Sequence, residues 1–216
     1  MKIAVDGASA TGKSTVCGVL SKELNILHLD TGAMYRVAAL KADRLGIELN
    51  YENIGKILKD LDIDIKYIDG MQKEFLDGEC VSSEIRQHHI SKLASDISAF
   101  TPVRIFMMEL QRKIAKKQSC VLDGRDIGTY VLPDADFKFF LTAELDCRAM
   151  RRYKELLARG QQADFEKVKE DIRIRDYNDT NREVAPLKKA ENAVEIDSTS
   201  LTVDEVVRLM LKKIRK

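Results

Sequence analysis

Residues 2–6, Lys2-Ile3-Ala4-Val5-Asp6, read as a short buried strand, and the loop after them constrains the fold more than any other stretch. Gly7-Ala8-Ser9-Ala10-Thr11-Gly12-Lys13-Ser14 fits the spacing G-x-x-x-x-G-K-[ST]. Val16, Val19, Leu20 and Leu24 then recur at helical spacing. A strand, a glycine-bearing loop and a helix in that order make a cradle for phosphate oxygens. Small residues let backbone N–H groups approach the anion, and the helix adds the positive end of its dipole. Gly7, Ala8, Ser9, Ala10, Thr11, Gly12, Lys13, Ser14 and Thr15 are therefore the candidate binding site for the phosphates of a nucleotide such as ATP. Lys13 is placed to reach the β- and γ-phosphates, and the Ser14 hydroxyl to bind Mg2+.

The same pattern returns later in the chain. Short apolar runs at residues 26–29, 120–123, 137–141 and 193–196 read as further strands. Helical patterns separate them at residues 32–45, 101–114, 145–159 and 165–177. The capping-box sequence Thr202-Val203-Asp204-Glu205 opens a last helix. This alternation predicts an α/β fold, a parallel five-stranded sheet flanked by helices on both faces. The middle of the chain differs. Residues 51–61 are helical by pattern, Ile63, Ile65 and Tyr67 alternate with polar residues, and Asp77-Gly78 suits a tight hairpin turn. Residues 63–89 thus read as a small antiparallel insert, and a helix over 91–100 comes next.

Composition excludes several classes. The charge is balanced, with 36 Lys+Arg against 35 Asp+Glu, so nothing favours nucleic acid or an anionic membrane as a partner. Apolar runs such as residues 37–40 fall far short of the roughly 18 residues of a spanning helix. An acidic residue and a glycine end the first strand at once, so no signal segment is expected. Cys17, Cys80, Cys120 and Cys147 are scattered without a C-x-x-C pair, which points to free thiols in a reducing cytoplasm. His28, His88 and His89 have no metal-ligand spacing, and His28, in an apolar stretch, is expected to be a packed residue. A cytoplasmic monomer of one unit is the expectation.

A phosphate loop alone does not name a reaction. An N-K-x-D segment for guanine is absent, and the chain is short for a motor or transporter domain, which leaves a small-molecule kinase in the lead. Such an enzyme needs a second anion pocket. Arg36 and Arg125 each come after a predicted strand, and Arg175, Asp179 and Arg182 share one helix face. Arginine forks suit phosphate oxygens. Asp123, at a strand end near the loop, is the candidate for ordering Mg2+ through water. No general base is expected, because an acceptor phosphate oxygen is already largely anionic near neutral pH.

Asp30-Thr31-Gly32-Ala33-Met34-Tyr35-Arg36, Ala94-Ser95, Thr101-Pro102-Val103-Arg104, the string from Asp123 to Ala135, and the block from Arg175 to Leu187 join the loop in one likeness. Over nearly its whole length the chain resembles bacterial-type cytidylate (CMP) kinases, within the nucleoside monophosphate kinases. The resemblance implies a P-loop NTPase fold with a nucleoside-monophosphate insert at about 37–89 and a helical lid at about 148–179. The core would then be 1–36, 90–147 and 180–216. It implies transfer of the ATP γ-phosphoryl group to CMP or dCMP. Lys13, Arg125 and Arg182 would act on the transferred group. Thr31, Tyr35, Arg36 and Arg125 would surround the acceptor phosphate, Ser95, Arg104 and Asp126 would read cytosine, and Arg175 and Asp179 would touch the sugar. The loop departs from the family at Ala8, where proline is usual, and at Ala10, where glycine is usual; Ala10 fits easily if its φ is negative. Two alternatives remain open on the residues alone: a kinase of another nucleotide or small metabolite, and a nucleotide-binding protein without turnover.

Overall fold

The computed structural model describes residues 1–68 and 70–215; Asp69, in the predicted insert, and Lys216, at the end of the predicted core, lie outside the described residues. The described residues form two compact units, Met1–His28 with Lys117 onward, and Leu29–Lys116.

The first unit is built on strands that run between helices. β1 (Lys2–Gly7) leads through the phosphate loop into α1 (Lys13–Leu24) and then β2 (Leu27–Asp30). After the second unit come β6 (Cys120–Gly124), β7 (Phe137–Thr142), α6 (Leu145–Ala158), α7 (Phe165–Asn181), β8 (Val194–Asp197) and α8 (Val203–Ile214). The five-stranded sheet has the order β2-β6-β1-β7-β8, with β1 parallel to β6 and β7. In this register Val5 lies beside Asp123 on one side and Phe139 on the other. β1 is central, so its strand residues Ile3, Ala4 and Val5 are fully buried. Ile3 and Val5 join Val16, Cys17 and Leu20 of α1, Val121, Phe139 and Leu141 of the sheet, and Val206, Val207 and Met210 of α8 in one apolar core. The chain leaves β1 and returns as β2 beyond β6, so the carboxyl ends of β1 and β6 flank a crevice of the kind that holds ligands in open α/β sheets. Helix α8 opens on the full capping box between Thr202 and Glu205. Helices α6 and α7 bury Ala149, Leu156, Val168 and Ile172 between them, with Tyr153 edge-on to Phe165 at 6.1 Å between ring centroids.

The second unit holds α2 (Thr31–Leu45), α3 (Tyr51–Lys59), α4 (His88–Ile97), α5 (Thr101–Lys116) and a three-stranded antiparallel sheet. That sheet has β4 (Met71–Leu76) between β3 (Ile63–Ile68) and β5 (Glu79–Cys80). The turn between β4 and β5 places Asp77 and Gly78 at φ 50° and 84°, the left-handed pair that a two-residue hairpin requires. No helix among the described residues is long and apolar enough to cross a membrane.

Candidate functional site

The loop is shaped by two glycines for different reasons. At Gly7 a Cβ would sit 2.1 Å from the Leu141 carbonyl oxygen, so no side chain fits. Gly12 has φ 92° and turns the chain into α1. Ala10 does not meet the condition set from the sequence: its φ is +59°, in the left-handed region. For an L-residue that conformation costs about 1–2 kcal/mol. The methyl group is not idle, because it packs against the apolar cluster between α6 and α7. Ala10→Gly should therefore relieve the backbone while loosening this contact and adding unfolded-chain entropy. The expected net gain is under about 1 kcal/mol, read from urea unfolding. A loss of more than about 1 kcal/mol would mean that the methyl contact outweighs the strain.

The functional groups of the loop are engaged by the protein itself. The Ser9 N–H donates to Asp176 Oδ1 at 3.0 Å, and Arg148 donates to the Ser9 carbonyl at 3.1 Å while pairing with Asp176. Arg151 reaches the Thr11 carbonyl at 3.5 Å and is tied to Ser198. Lys13 Nζ donates to the Ala8 carbonyl at 2.5 Å and to Thr11 Oγ1 at 3.2 Å. This ammonium is buried. Burial, then the nearby Arg125, lower its pKa to about 7, against the opposing pull of Asp123. Arg175 adds to the depression. Lysine and two guanidinium groups thus crowd one place.

Two carboxylates at strand ends organise the floor. Asp6, at 3% exposure, accepts from the N–H groups of Ile127 and Gly128 at 2.8 and 2.7 Å. Burial raises its pKa to about 6, and the two N–H bonds oppose the rise. Asp6 thereby fixes the π-type turn Ile127–Val131 that comes directly after Arg125 and Asp126. Asp123 Oδ2 accepts from the Ser14 hydroxyl at 2.6 Å, and Oδ1 meets His28 Nε2 at 2.7 Å. A hydroxyl and a carboxylate side by side are hard oxygen donors, the set that Mg2+ takes with several waters.

On the far side of Arg125 the predicted residues form one network. Arg125 Nε donates to Asp179 Oδ2 at 2.8 Å, and Arg182 reaches Asp179 Oδ1 at 3.3 Å and Asp126 Oδ1 at 3.4 Å. Arg182 Nε also donates to the Ala185 carbonyl at 2.7 Å. Burial pushes the Asp179 carboxyl up, but Arg125, Arg175 and Arg182 together hold it below the ordinary carboxylate range. Helix α7 runs on to Asn181, beyond the predicted stop at residue 177, and so carries Asp179 on its last turn.

The remaining predicted residues lie in the second unit. Asp30 caps α2 by accepting from the Ala33 N–H at 3.0 Å and holds Arg36 Nη2 at 3.0 Å. Thr31 is buried at the start of the same helix, and Tyr35 lies one turn on. Arg104 is 1% exposed, donates to the Ser98 carbonyl at 3.4 Å, and stands 5.6 Å from the centre of the Tyr35 ring. Ser95 is half-buried on α4, its carbonyl accepting from Ser98 Oγ. Arg36 Nε is buried without a hydrogen-bond partner among the described residues.

The family model described as cytidylate kinase matches residues 3–216. The chain belongs to the cytidylate kinase family. It is 46% identical to the cytidylate kinase of Caldicellulosiruptor saccharolyticus over 98% of this chain and 94% of that one. It is 47% identical to that of Clostridioides difficile, over 98% and 97%. It is 48% identical to that of Caldanaerobacter subterraneus subsp. tengcongensis, over 100% and 95%. Among solved structures, an uncharacterized protein from Eubacterium ventriosum shares the fold, with a TM-score of 0.53 at 16% identity over 100% of this chain and 98% of that one. Membership of the cytidylate kinase family makes this a P-loop kinase and a nucleoside monophosphate kinase, and favours neither alternative acceptor chemistry nor a protein without turnover. Inside that frame, Asp6, His28, Arg148, Arg151 and Asp176 are structural partners of the site that spacing alone did not single out.

Proposed function

We propose that the protein transfers the γ-phosphoryl group of ATP to CMP or dCMP, giving ADP and CDP or dCDP. The observation that carries this is the concentration of cationic groups at the loop: a buried Lys13 whose pKa is lowered to about 7 by burial and by Arg125 and Arg175. Such a place is costly without an anion and becomes favourable with a polyphosphate in it. Phosphoryl transfer needs little covalent help; it needs alignment and charge neutralisation. In this reading residues 7–15 hold the ATP phosphates, and Lys13, Arg125 and Arg182 neutralise the transferred group. Thr31, Tyr35, Arg36 and Arg125 hold the acceptor phosphate, and the orphan Arg36 Nε is a donor left over for it. Ser95, Arg104 and Asp126 read the cytosine, and Arg175 and Asp179 the sugar. Ser14 and, through water, Asp123 would hold Mg2+, which when bound neutralises phosphate charge. Residues 148–179, on α6 and α7, act as the lid and residues 37–89 as the acceptor insert. Closure excludes water and prevents loss of the phosphoryl group to hydrolysis. Its four free cysteines support a cytoplasmic enzyme.

Incubation with ATP, Mg2+ and CMP tests the proposal by chromatography of the nucleotides. CDP and ADP should appear in equal amounts. ADP with free phosphate and no CDP would contradict it.

A further inference from the structure

The crevice holds a cluster of which the kinase chemistry uses one member, Asp123, and leaves two, Cys17 and His28, without a role. Cys17 lies on α1 one turn beyond Ser14, His28 on β2, and Asp123 at the end of β6. One ligand atom of each, the thiol sulfur, an imidazole nitrogen and a carboxylate oxygen, all lie within 4.8 Å of one another. Tetrahedral zinc, with bonds of about 2.0–2.3 Å, sets its ligands about 3.3–3.8 Å apart. Small side-chain rotations close that difference. His28 Nε2 and Asp123 Oδ1, now in direct hydrogen-bond contact at 2.7 Å, must part by about 0.6 Å to admit the ion. Cys17 and Asp123 are buried, whereas the His28 side chain is 19% exposed and leaves an entry edge. The His28 ring lies beside Gly18 of α1 with Nε2 turned to the carboxylate.

We propose that Cys17, His28 and Asp123 bind a thiophilic divalent cation, of which Zn2+ is the working example, and that its binding inhibits phosphoryl transfer. A thiolate, an imidazole and a carboxylate select zinc-like ions and reject Mg2+, which wants oxygen donors in an octahedron. On binding, the Cys17 thiol releases its proton to solvent and becomes the thiolate ligand. His28 binds as the neutral imidazole: Nδ1 carries the ring proton, the Nε2 lone pair goes to the ion, and any proton displaced on binding goes to solvent. Asp123 then spends an oxygen on the cation and is drawn away from the Ser14 hydroxyl, which now donates to it at 2.6 Å. The inhibitory half rests on the kinase reading; the binding half does not.

Equilibrium dialysis of the full-length protein against Zn2+, with Co2+ absorption as a second readout, decides the matter. One ion per chain at this site is expected, with a cobalt–thiolate charge-transfer band. Cys17→Ala should abolish the band, and Cys17→Ala and His28→Gln should each weaken zinc binding by at least about tenfold. Cys80→Ala, which removes an exposed thiol, should change neither. No stoichiometric binding, or binding unchanged in both His28→Gln and Cys17→Ala, overturns the proposal; if Cys17→Ala fails to fold, His28→Gln alone carries the affinity arm. In activity assays with excess Mg2+, zinc should lower the rate of the parent protein at least about tenfold, while Cys17→Ala keeps its zinc-free rate. Equal inhibition of both would overturn the inhibitory half. If no kinase activity is found at all, dialysis and the cobalt band still test the site.

Discussion

Lys13→Ala is expected to lower kcat for CMP phosphorylation by about 10²–10³-fold, the range seen when one preorganised donor to developing charge is removed. The side chain already points into the loop, donating to the Ala8 carbonyl and Thr11 Oγ1, so only a short swing separates it from a phosphate oxygen. Because a buried ammonium is a burden on the free protein, the variant should melt no lower than the parent. A coupled ADP-release assay at saturating substrates, beside a melting curve, checks both. Activity within tenfold of the parent would contradict the assigned role. The depressed Lys13 pKa of about 7 has a further consequence. Phosphates bound against the ammonium favour its charged form and raise its pKa. At pH 8 the free protein holds Lys13 mostly neutral, so ATP binding should take up a proton; at pH 6 Lys13 is already charged and uptake should vanish. Calorimetry in two buffers of different ionisation heat reads this directly.

Asp179→Ala is expected to cost about 3–5 kcal/mol of folding stability, because it removes the carboxylate that two buried guanidinium groups, Arg125 and Arg182, now share and leaves Arg125 without its ion-pair partner. Arg182 would keep Asp126 and the Ala185 carbonyl, but Arg125 would lose its Nε partner. The pH dependence has a definite sign. Burial alone would raise the Asp179 pKa, yet Arg125, Arg175 and Arg182 hold it below its ordinary 3.8. Its contribution is therefore complete above pH 3.8 and is lost as pH falls through the depressed value. Urea unfolding at neutral pH measures the cost, and a loss under about 1 kcal/mol would mean that the network does not carry the load described.

Local features were legible in the sequence. The loop spacing, the capping box at Thr202 and the Asp77-Gly78 turn each depend on neighbours a few residues away, and each appears in place. The alternation of short strands with helices sufficed for the parallel sheet, because buried strands of this kind read as continuous apolar runs. Long-range pairings were not legible. Asp6 meets Ile127 and Gly128, His28 meets Asp123, and Asp176 meets Ser9, all across more than ninety residues. His28 in particular looked like a packed residue because its neighbours are apolar; its partner lies at the end of another strand. A carboxylate ending a strand just before the phosphate loop was the one available signal for Asp6. The φ of Ala10 was also out of reach. The glycine usual at that position was the one hint of a positive φ, but the compensating contact that lets an alanine stand there is supplied by α6 and α7.

The base of the acceptor decides what this kinase is for, and a panel of nucleoside monophosphates reads it. With ATP and Mg2+ fixed, kcat/KM should be measured for CMP, dCMP, UMP, AMP and GMP. Cytidine monophosphates should lead both purines by at least about 100-fold, since a pocket with polar groups matched to one base leaves them unpaired against another. Equal use of all five, or a purine at the head of the series, would contradict the account.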